Sequence, residues 1–281
     1  RQFMAFVTHR GLYEFNRTVM GARNSAAHFQ KIMAELLDEL IYVNVMVYID
    51  DILVYVREEN ELAPAIGNVL AILQGAGVKL KPKKCDLFCT QLVWVGHHVS
   101  AQGVGVNPAF VSTVLAMHPP TTAADLQQFV ASCNWVRSKV PAYAELMAPL
   151  QRLLTESMRD KKKKTARAAA RVVLADAGWG EEHTQAYNAV KSALGEAVTL
   201  AHLRDDMVVC LFPDASDFFW GSILTQVEAS MPSSGLPVEE WGHEPLGFLS
   251  GAFRDASLRW GVPDKEAYAI KESCSKFAHL L

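Results

Sequence analysis

The run Tyr42-Val-Asn-Val-Met-Val-Tyr-Ile-Asp-Asp-Ile-Leu-Val-Tyr-Val56 constrains this chain more than any other feature. Val, Ile and Tyr, whose branched or aromatic side chains suit a pleated surface, flank Asp50 and Asp51 on both sides. The pattern predicts a hairpin of two fully buried strands with two carboxylates at its turn. Asp is common in turns because its side chain bonds to nearby backbone, so an acidic pair taken alone is most often structural. A solvated turn would usually also recruit Gly or Asn at its tip. Two adjacent carboxylates on a rigid hairpin can instead hold hard divalent cations, which take oxygen ligands and bridge phosphates.

The surroundings are helical. Ala26, Phe29, Ile32, Met33, Leu36 and Leu37 recur at helical spacing before the hairpin, and Ile66, Val69, Leu70, Ile72 and Leu73 after it. A second β pair is expected around Cys85 to Cys89 and Leu92 to Val99, with Gly96 at a bend. Thr122 and Asp125 have capping-box spacing ahead of Leu126, Phe129 and Val130, which predicts a helix start. Ala144 to Leu154 and Thr184 to Leu194 read as further helices. Ser157 to Ala177, rich in Lys, Arg and Ala, reads as a helical or mobile insertion. Near the end, Met207 to Phe212, Phe218 to Leu224 and Leu246 to Leu249 read as strands, with a last helix from about Asp264.

With 281 residues, 50% of them hydrophobic, the chain can bury about two cores. This excludes a disordered chain, a collagen and a disulfide miniprotein. No window is apolar enough for a membrane span, so a soluble protein without membrane partners is expected. Five cysteines, an odd count, point to free thiols and a reducing compartment, not secretion. Net charge is −3, yet ten basic residues against three acidic lie between Arg137 and Arg171. From Asp205 to Leu281 the balance reverses, twelve acidic against five basic. Such a basic middle and acidic end suit a phosphate-binding surface joined to a cation-gathering domain. The run Lys161 to Lys164, taken alone, is better explained by a solvated loop or a localisation signal.

Tyr48-Ile49-Asp50-Asp51 followed by Ile-Leu-Val-Tyr resembles the active-site motif of reverse transcriptases of gypsy-type LTR retrotransposons. The resemblance continues along nearly the whole chain. Gly11-Leu-Tyr-Glu-Phe15, Arg17, Gly21, Asn24 and Phe29-Gln30 resemble the segment that positions nucleotide and template. Lys84-Cys85 and Trp94-Val-Gly-His-His-Val-Ser100 resemble the stretch beside the nucleotide and the primer-gripping hairpin. Pro108, Pro119-Pro120, Leu126, Phe129 and Ala148-Pro149-Leu150 follow the thumb pattern. Trp179, Ala186 and Lys191 resemble the linker to a ribonuclease H domain, and Pro213-Asp214-Ala215-Ser216, Ser250 and Lys265-Glu266 its beginning.

This resemblance implies an α+β chain: a reverse-transcriptase palm and helical thumb followed by an incomplete ribonuclease H-like α/β domain. The implied divisions are fingers and palm over 1–106, thumb over 107–155, basic insertion and linker over 156–204, and ribonuclease H-like part over 205–281. The implied function is RNA-directed DNA polymerisation by nucleotidyl transfer, with attached ribonuclease H. Asp50 and Asp51 would be catalytic metal ligands, as would Asp214 and Glu266, the latter in the first turn of its helix. Each active site would take two Mg²⁺ or Mn²⁺ ions. Arg17, Gly21, Asn24, Gln30, Tyr48 and Lys84 would bind nucleotide or template. Arg17 also reads as a plain surface cation, and Lys81 and Lys83 lie as near as Lys84. Trp94, Gly96 and His97 would form the primer grip, with Trp94 more a core residue than a stacking platform.

Partners implied are an RNA template, a DNA primer, an RNA/DNA hybrid, dNTPs and the rest of a Pol polyprotein with protease and integrase. The implied setting is a cytoplasmic virus-like particle with a nuclear phase. Cys85, Cys89, His97 and His98 invite a zinc site, but adjacent histidines rarely both reach one ion, so no zinc is expected. The family's first catalytic Asp lies upstream of a segment like this one, and further ribonuclease H carboxylates lie downstream. A piece of a longer enzyme, with negligible activity alone, is therefore expected. Val19-Met20 in place of the usual Pro-Phe, and Leu126-Gln-Gln-Phe-Val-Ala131 in the thumb, are departures that also fit a non-catalytic nucleic-acid-binding relic or domesticated protein.

Overall fold

The computed structural model describes residues 4–159 and 165–281, and the run Lys161 to Lys164 lies outside them. The chain divides into two compact units, residues 1–90 and 91–281.

In the first unit, strands β1 (Phe6–Thr8) and β2 (Gly11–Tyr13) form a short antiparallel ribbon. Helix α1 (Ser25–Leu36) leads into the hairpin of β3 (Val45–Tyr48) and β4 (Asp51–Val54), and helix α2 (Glu59–Gly75) follows. Met33, at helical spacing on α1, and Leu37 just beyond its end pack with Val45 of β3 and with Val69 and Leu73 of α2. Sequence patterning suggested two fully buried strands. Only Val45 and Leu53 are buried, on opposite faces of the ribbon: Val45, with Val47, Ile52 and Val54, packs against the helices, and the remaining strand residues are half-buried or exposed.

Cys85 to Cys89 is not a strand. Pro82 starts a single 3-10 turn over Pro82–Lys84, and Phe88 then takes a left-handed conformation (φ 56°) that breaks any extended run.

The second unit begins with a three-stranded antiparallel sheet, β5 (Gln91–Trp94), β6 (His97–Ser100) and β7 (Gly103–Val106). Gly103, at φ 135°, sits where a Cβ would collide with the Leu200 carbonyl, which accepts a hydrogen bond from the Val104 amide at 2.8 Å. Glycine here lets the later linker dock against β7.

Helices α3 (Pro108–Ala116), α4 (Ala123–Asn134), α5 (Tyr143–Ser157), the short α6 (Ala166–Ala169) and α7 (Glu181–Gly195) share one core. Leu126, Phe129, Met147, Leu150, Tyr187 and Leu194 fill it. The predicted capping box at α4 is present: the Thr122 hydroxyl accepts the Asp125 amide at 3.2 Å, and the Asp125 carboxylate accepts the Thr122 amide at 2.9 Å. The expected insertion contains α6 among its described residues. Pro119 and Pro120 lie in the loop before α4.

Strands β8 (Met207–Ala215), β9 (Phe219–Glu228) and β10 (Glu244–Ala252) form an antiparallel sheet in the order β10–β9–β8, and helix α8 (Val262–Lys276) packs on β8 and β9. The three expected strands are each longer than their apolar runs, because the strongest pairing, β8 with β9, extends from Met207 to Ala215. Helix α8 starts at Val262, ahead of Pro263, so Glu266 falls in its second turn and Asp264 is the first-turn acid. All five cysteines are free. Among the described residues no helix is long and apolar enough to cross a membrane.

Candidate active site

The β3–β4 hairpin closes through Tyr48 paired with Asp51, leaving Ile49 and Asp50 as its turn. Asp50 and Asp51 are both exposed. Ile49 adopts φ 55°, a left-handed conformation that β-branched side chains avoid. Gln30, on α1, spans this turn. Its Oε1 accepts the Ile49 amide at 2.5 Å, and its Nε2 donates to the Val47 carbonyl at 3.3 Å. Of the candidate nucleotide-binding residues, the structure thus brings Gln30 and Tyr48 together with the acidic pair.

The others in the first unit sit elsewhere. Arg17 and Gly21 (φ 83°) are exposed on the segment before α1, and Asn24 occupies the α1 N-cap without a side-chain cap bond. Lys84 ends the 3-10 turn, exposed together with Lys81 and Lys83, so the geometry does not single it out.

In the second unit, Val95 and Gly96 form the β5–β6 turn, both with positive φ. A Cβ on Gly96 would come within 3.0 Å of the Trp135 indole nitrogen. His97 stacks on Trp135, rings 5.4 Å apart and 9° from parallel. Trp94 is half-buried, and its indole nitrogen, like His97 Nδ1, is buried without a hydrogen-bond partner. Burial, and then the Lys139 ammonium nearby, lower the His97 pKa from its usual value. Lys139 itself is 3% exposed, and burial lowers its pKa. Trp135 and Lys139 were not legible as site residues. An exposed Trp at a helix end beside Arg137 and Lys139 was the only signal.

Asp214 lies on β8 and Glu266 on α8, both exposed, on two elements packed together. Next to Glu266, the buried Lys265 donates to the Asp217 carbonyl at 2.9 Å across the β8–β9 turn, with the Phe253 ring 5.6 Å from its Nζ. Ser250 is committed to helix α5, where its hydroxyl accepts the Ala144 amide.

Asp50 and Asp51 supply hard carboxylate oxygens, the donor type that divalent cations take, so they fit such an ion in kind. Among the described residues no three His, Cys, Asp or Glu side chains gather as a metal cluster.

Residues 1–99 match the family described as reverse transcriptase (RNA-dependent DNA polymerase), and residues 179–281 match the RNase H-like domain found in reverse transcriptase. The Tf2-3 and Tf2-7 transposon polyproteins of Schizosaccharomyces pombe are each 28% identical over 278 residues, 99% of this chain. The chain spans 19% of the length of these curated relatives. The foamy viral protease–reverse transcriptase in complex with RNA/DNA hybrid shares the fold, at TM-score 0.77, 21% identity, and coverage of 99% of this chain and 34% of that one. The same type of protein with double-stranded DNA gives TM-score 0.73, 22% identity, and coverage of 99% and 52%. The fold is therefore that of a reverse transcriptase with an RNase H-like part. Residues 1–99 are thus similar to reverse transcriptases and residues 179–281 to the RNase H-like domain found with them, in one chain that aligns along 99% of its length with transposon polyproteins.

Proposed function

We propose that this chain is the part of a retrotransposon polymerase that carries the acidic turn of the nucleotidyl-transfer site, and that it is catalytically silent on its own. The observation that carries the reading is the Tyr48–Ile49–Asp50–Asp51 turn, held open to solvent on a hairpin that α1 backs. Asp50 and Asp51 would hold divalent ions, Mg²⁺ or Mn²⁺, two per site. When bound, such ions neutralise triphosphate charge and activate the attacking oxygen. The chain's own side chains do the positioning. Tyr48 borders the turn, and the β5–β6 turn with Trp94, Gly96 and His97 presents backbone to a primer terminus. Arg17, Gly21, Asn24 and Lys84 serve nucleotide and template. Asp214 and Glu266 begin a second acidic site for the RNA strand of a hybrid.

By the same reading, fingers and palm occupy 1–106, the thumb 107–155, the basic insertion and linker 156–204, and the ribonuclease H-like part 205–281. The substrates are an RNA template, a DNA primer and dNTPs, inside a cytoplasmic virus-like particle with a nuclear phase, alongside a protease and an integrase.

Silence follows from ligand count. Among the described residues no third carboxylate joins Asp50 and Asp51, which leaves divalent ions under-coordinated, and the loss of one essential group can cost orders of magnitude in rate. The same shortage favours a second reading, a non-catalytic nucleic-acid-binding protein that retains the basic thumb. The test is primer extension by the purified chain on an RNA template with Mg²⁺ or Mn²⁺, beside hybrid binding at rising salt. No incorporation, Mn²⁺ binding that Asp50→Asn with Asp51→Asn removes, and affinity that falls steeply with salt fit the first reading. Clear incorporation overturns the silence. Salt-sensitive binding with no Mn²⁺ bound at the turn favours the second.

A further inference from the structure

We infer that Gln30 is the positioning residue of the acidic turn: its side-chain amide, not the turn sequence, sets where Asp50 and Asp51 point. The inference rests on the proposed role of these two carboxylates in holding divalent ions.

Two-residue hairpin turns favour Asn-Gly or Gly-X, residues that take positive φ without a clash. This turn is Ile49-Asp50, and Ile49 carries a branched side chain at φ 55°. Nothing local favours that conformation, so it persists only where neighbours impose it. Gln30 is the neighbour that does so. Its Oε1 takes the amide hydrogen of Ile49, and its Nε2 gives a hydrogen to the Val47 carbonyl two residues earlier. The two bonds fix which end of the amide faces which partner, since an acceptor must meet an N–H and a donor a C=O.

The brace is anchored at its other end. Gln30 lies three residues before Met33 on α1, within one helical turn of the side chain that packs into the core with Val45 of β3. The helix core contact and the turn are therefore linked through one side chain. Asp50 follows Ile49 directly, and Asp51 opens β4, so a loosened Ile49 amide lets both carboxylates fan apart. Gln30 touches no reacting group in this arrangement. It acts through the turn.

The test is Mn²⁺ titration of the 281-residue chain followed by electron paramagnetic resonance, with melting temperature measured in parallel. Gln30→Met keeps side-chain length and removes both bonds, and is expected to weaken Mn²⁺ binding by about five- to tenfold. Gln30→Ala is expected to move binding in the same direction and guards against a poorly folded Met variant. Adding Ile49→Gly to Gln30→Met restores part of the affinity, because Gly takes the left-handed conformation without strain. A residue that merely fills the core would lower the melting temperature and leave the dissociation constant alone, and that result overturns the inference. Binding unchanged in both Gln30 variants, while Asp50→Asn with Asp51→Asn abolishes it, overturns it too. Binding indifferent to the double Asn variant instead sinks the metal reading beneath it, so the two failures are told apart.

Discussion

The Ser250 hydroxyl, on strand β10, accepts the Ala144 amide of helix α5 at 2.9 Å, a cap supplied from 106 residues away. The N-cap residue of α5 is Ala142, which has no side-chain oxygen to satisfy the first-turn amides. The bond lies where α5 and β10 pack together, tying the helical core to the final sheet. Ser250→Ala should therefore cost about 1 kcal/mol, the usual worth of an N-cap oxygen. Urea denaturation measures it, and an unchanged midpoint would show that solvent caps α5 equally well.

The α4 capping box makes a pH-dependent contribution. The Thr122 amide, aided by Thr121, holds the Asp125 carboxyl below its usual 3.8. A carboxylate with a lowered folded pKa stabilises above its unfolded value, and that contribution is lost as pH falls through the folded one. The stability advantage of the parent over Asp125→Ala should be constant at neutral pH and shrink below about pH 4. Thr122→Ala should lose about 1 kcal/mol at neutral pH. A gap between parent and Asp125→Ala that stays level down to pH 2.5 would argue against the carboxylate as the cap.

His97 titrates with a consequence of the same sign, in a higher pH window. Burial disfavours its charged form, so the unfolded chain takes up a proton below 6.5 while the folded chain does not. Stability should fall as pH drops below that value and level off once the folded imidazole also protonates. His97→Gln should flatten this slope in thermal melts run between about pH 5 and 7.5. Trp135→Ala, which removes the ring stacked on His97, should weaken binding of a primer–template duplex more than it lowers the melting point. Equal slopes for parent and His97→Gln would refute the histidine assignment.

Lys265 ties the β8–β9 turn to helix α8. Its ammonium donates to the Asp217 carbonyl, while the Asp217 side chain, 81% exposed and 3.5 Å away, adds little through solvent. Lys265→Met should cost about 1 kcal/mol and speed amide hydrogen exchange at Phe219. Asp217→Asn should leave both nearly unchanged, since the bond that matters is to backbone. A large effect of Asp217→Asn would move the weight to the ion pair.

Several of these features were readable in advance and several were not. The acidic hairpin was legible because β-branched and aromatic runs on both sides of Asp50-Asp51 leave little choice of local structure. The Thr122–Asp125 cap was legible because both partners lie within one helical turn. Cys85 to Cys89 misled, since Leu87 and Phe88 are apolar yet exposed, and the left-handed Phe88 ends any strand. Gln30 read as a nucleotide contact because its spacing along α1 cannot reveal that its amide is occupied 17 and 19 residues further on.

By itself the sequence determined most of the element types, the order of the two family segments and the identity of the exposed carboxylates, because periodicity, capping and turn chemistry act over a few residues. Only the tertiary structure decided what holds those carboxylates in place, that Ser250 caps a distant helix, and that His97 rests against Trp135. Those pairings join residues far apart in the chain, and a side chain's free hydrogen bonds are assigned only when packing has chosen its neighbours.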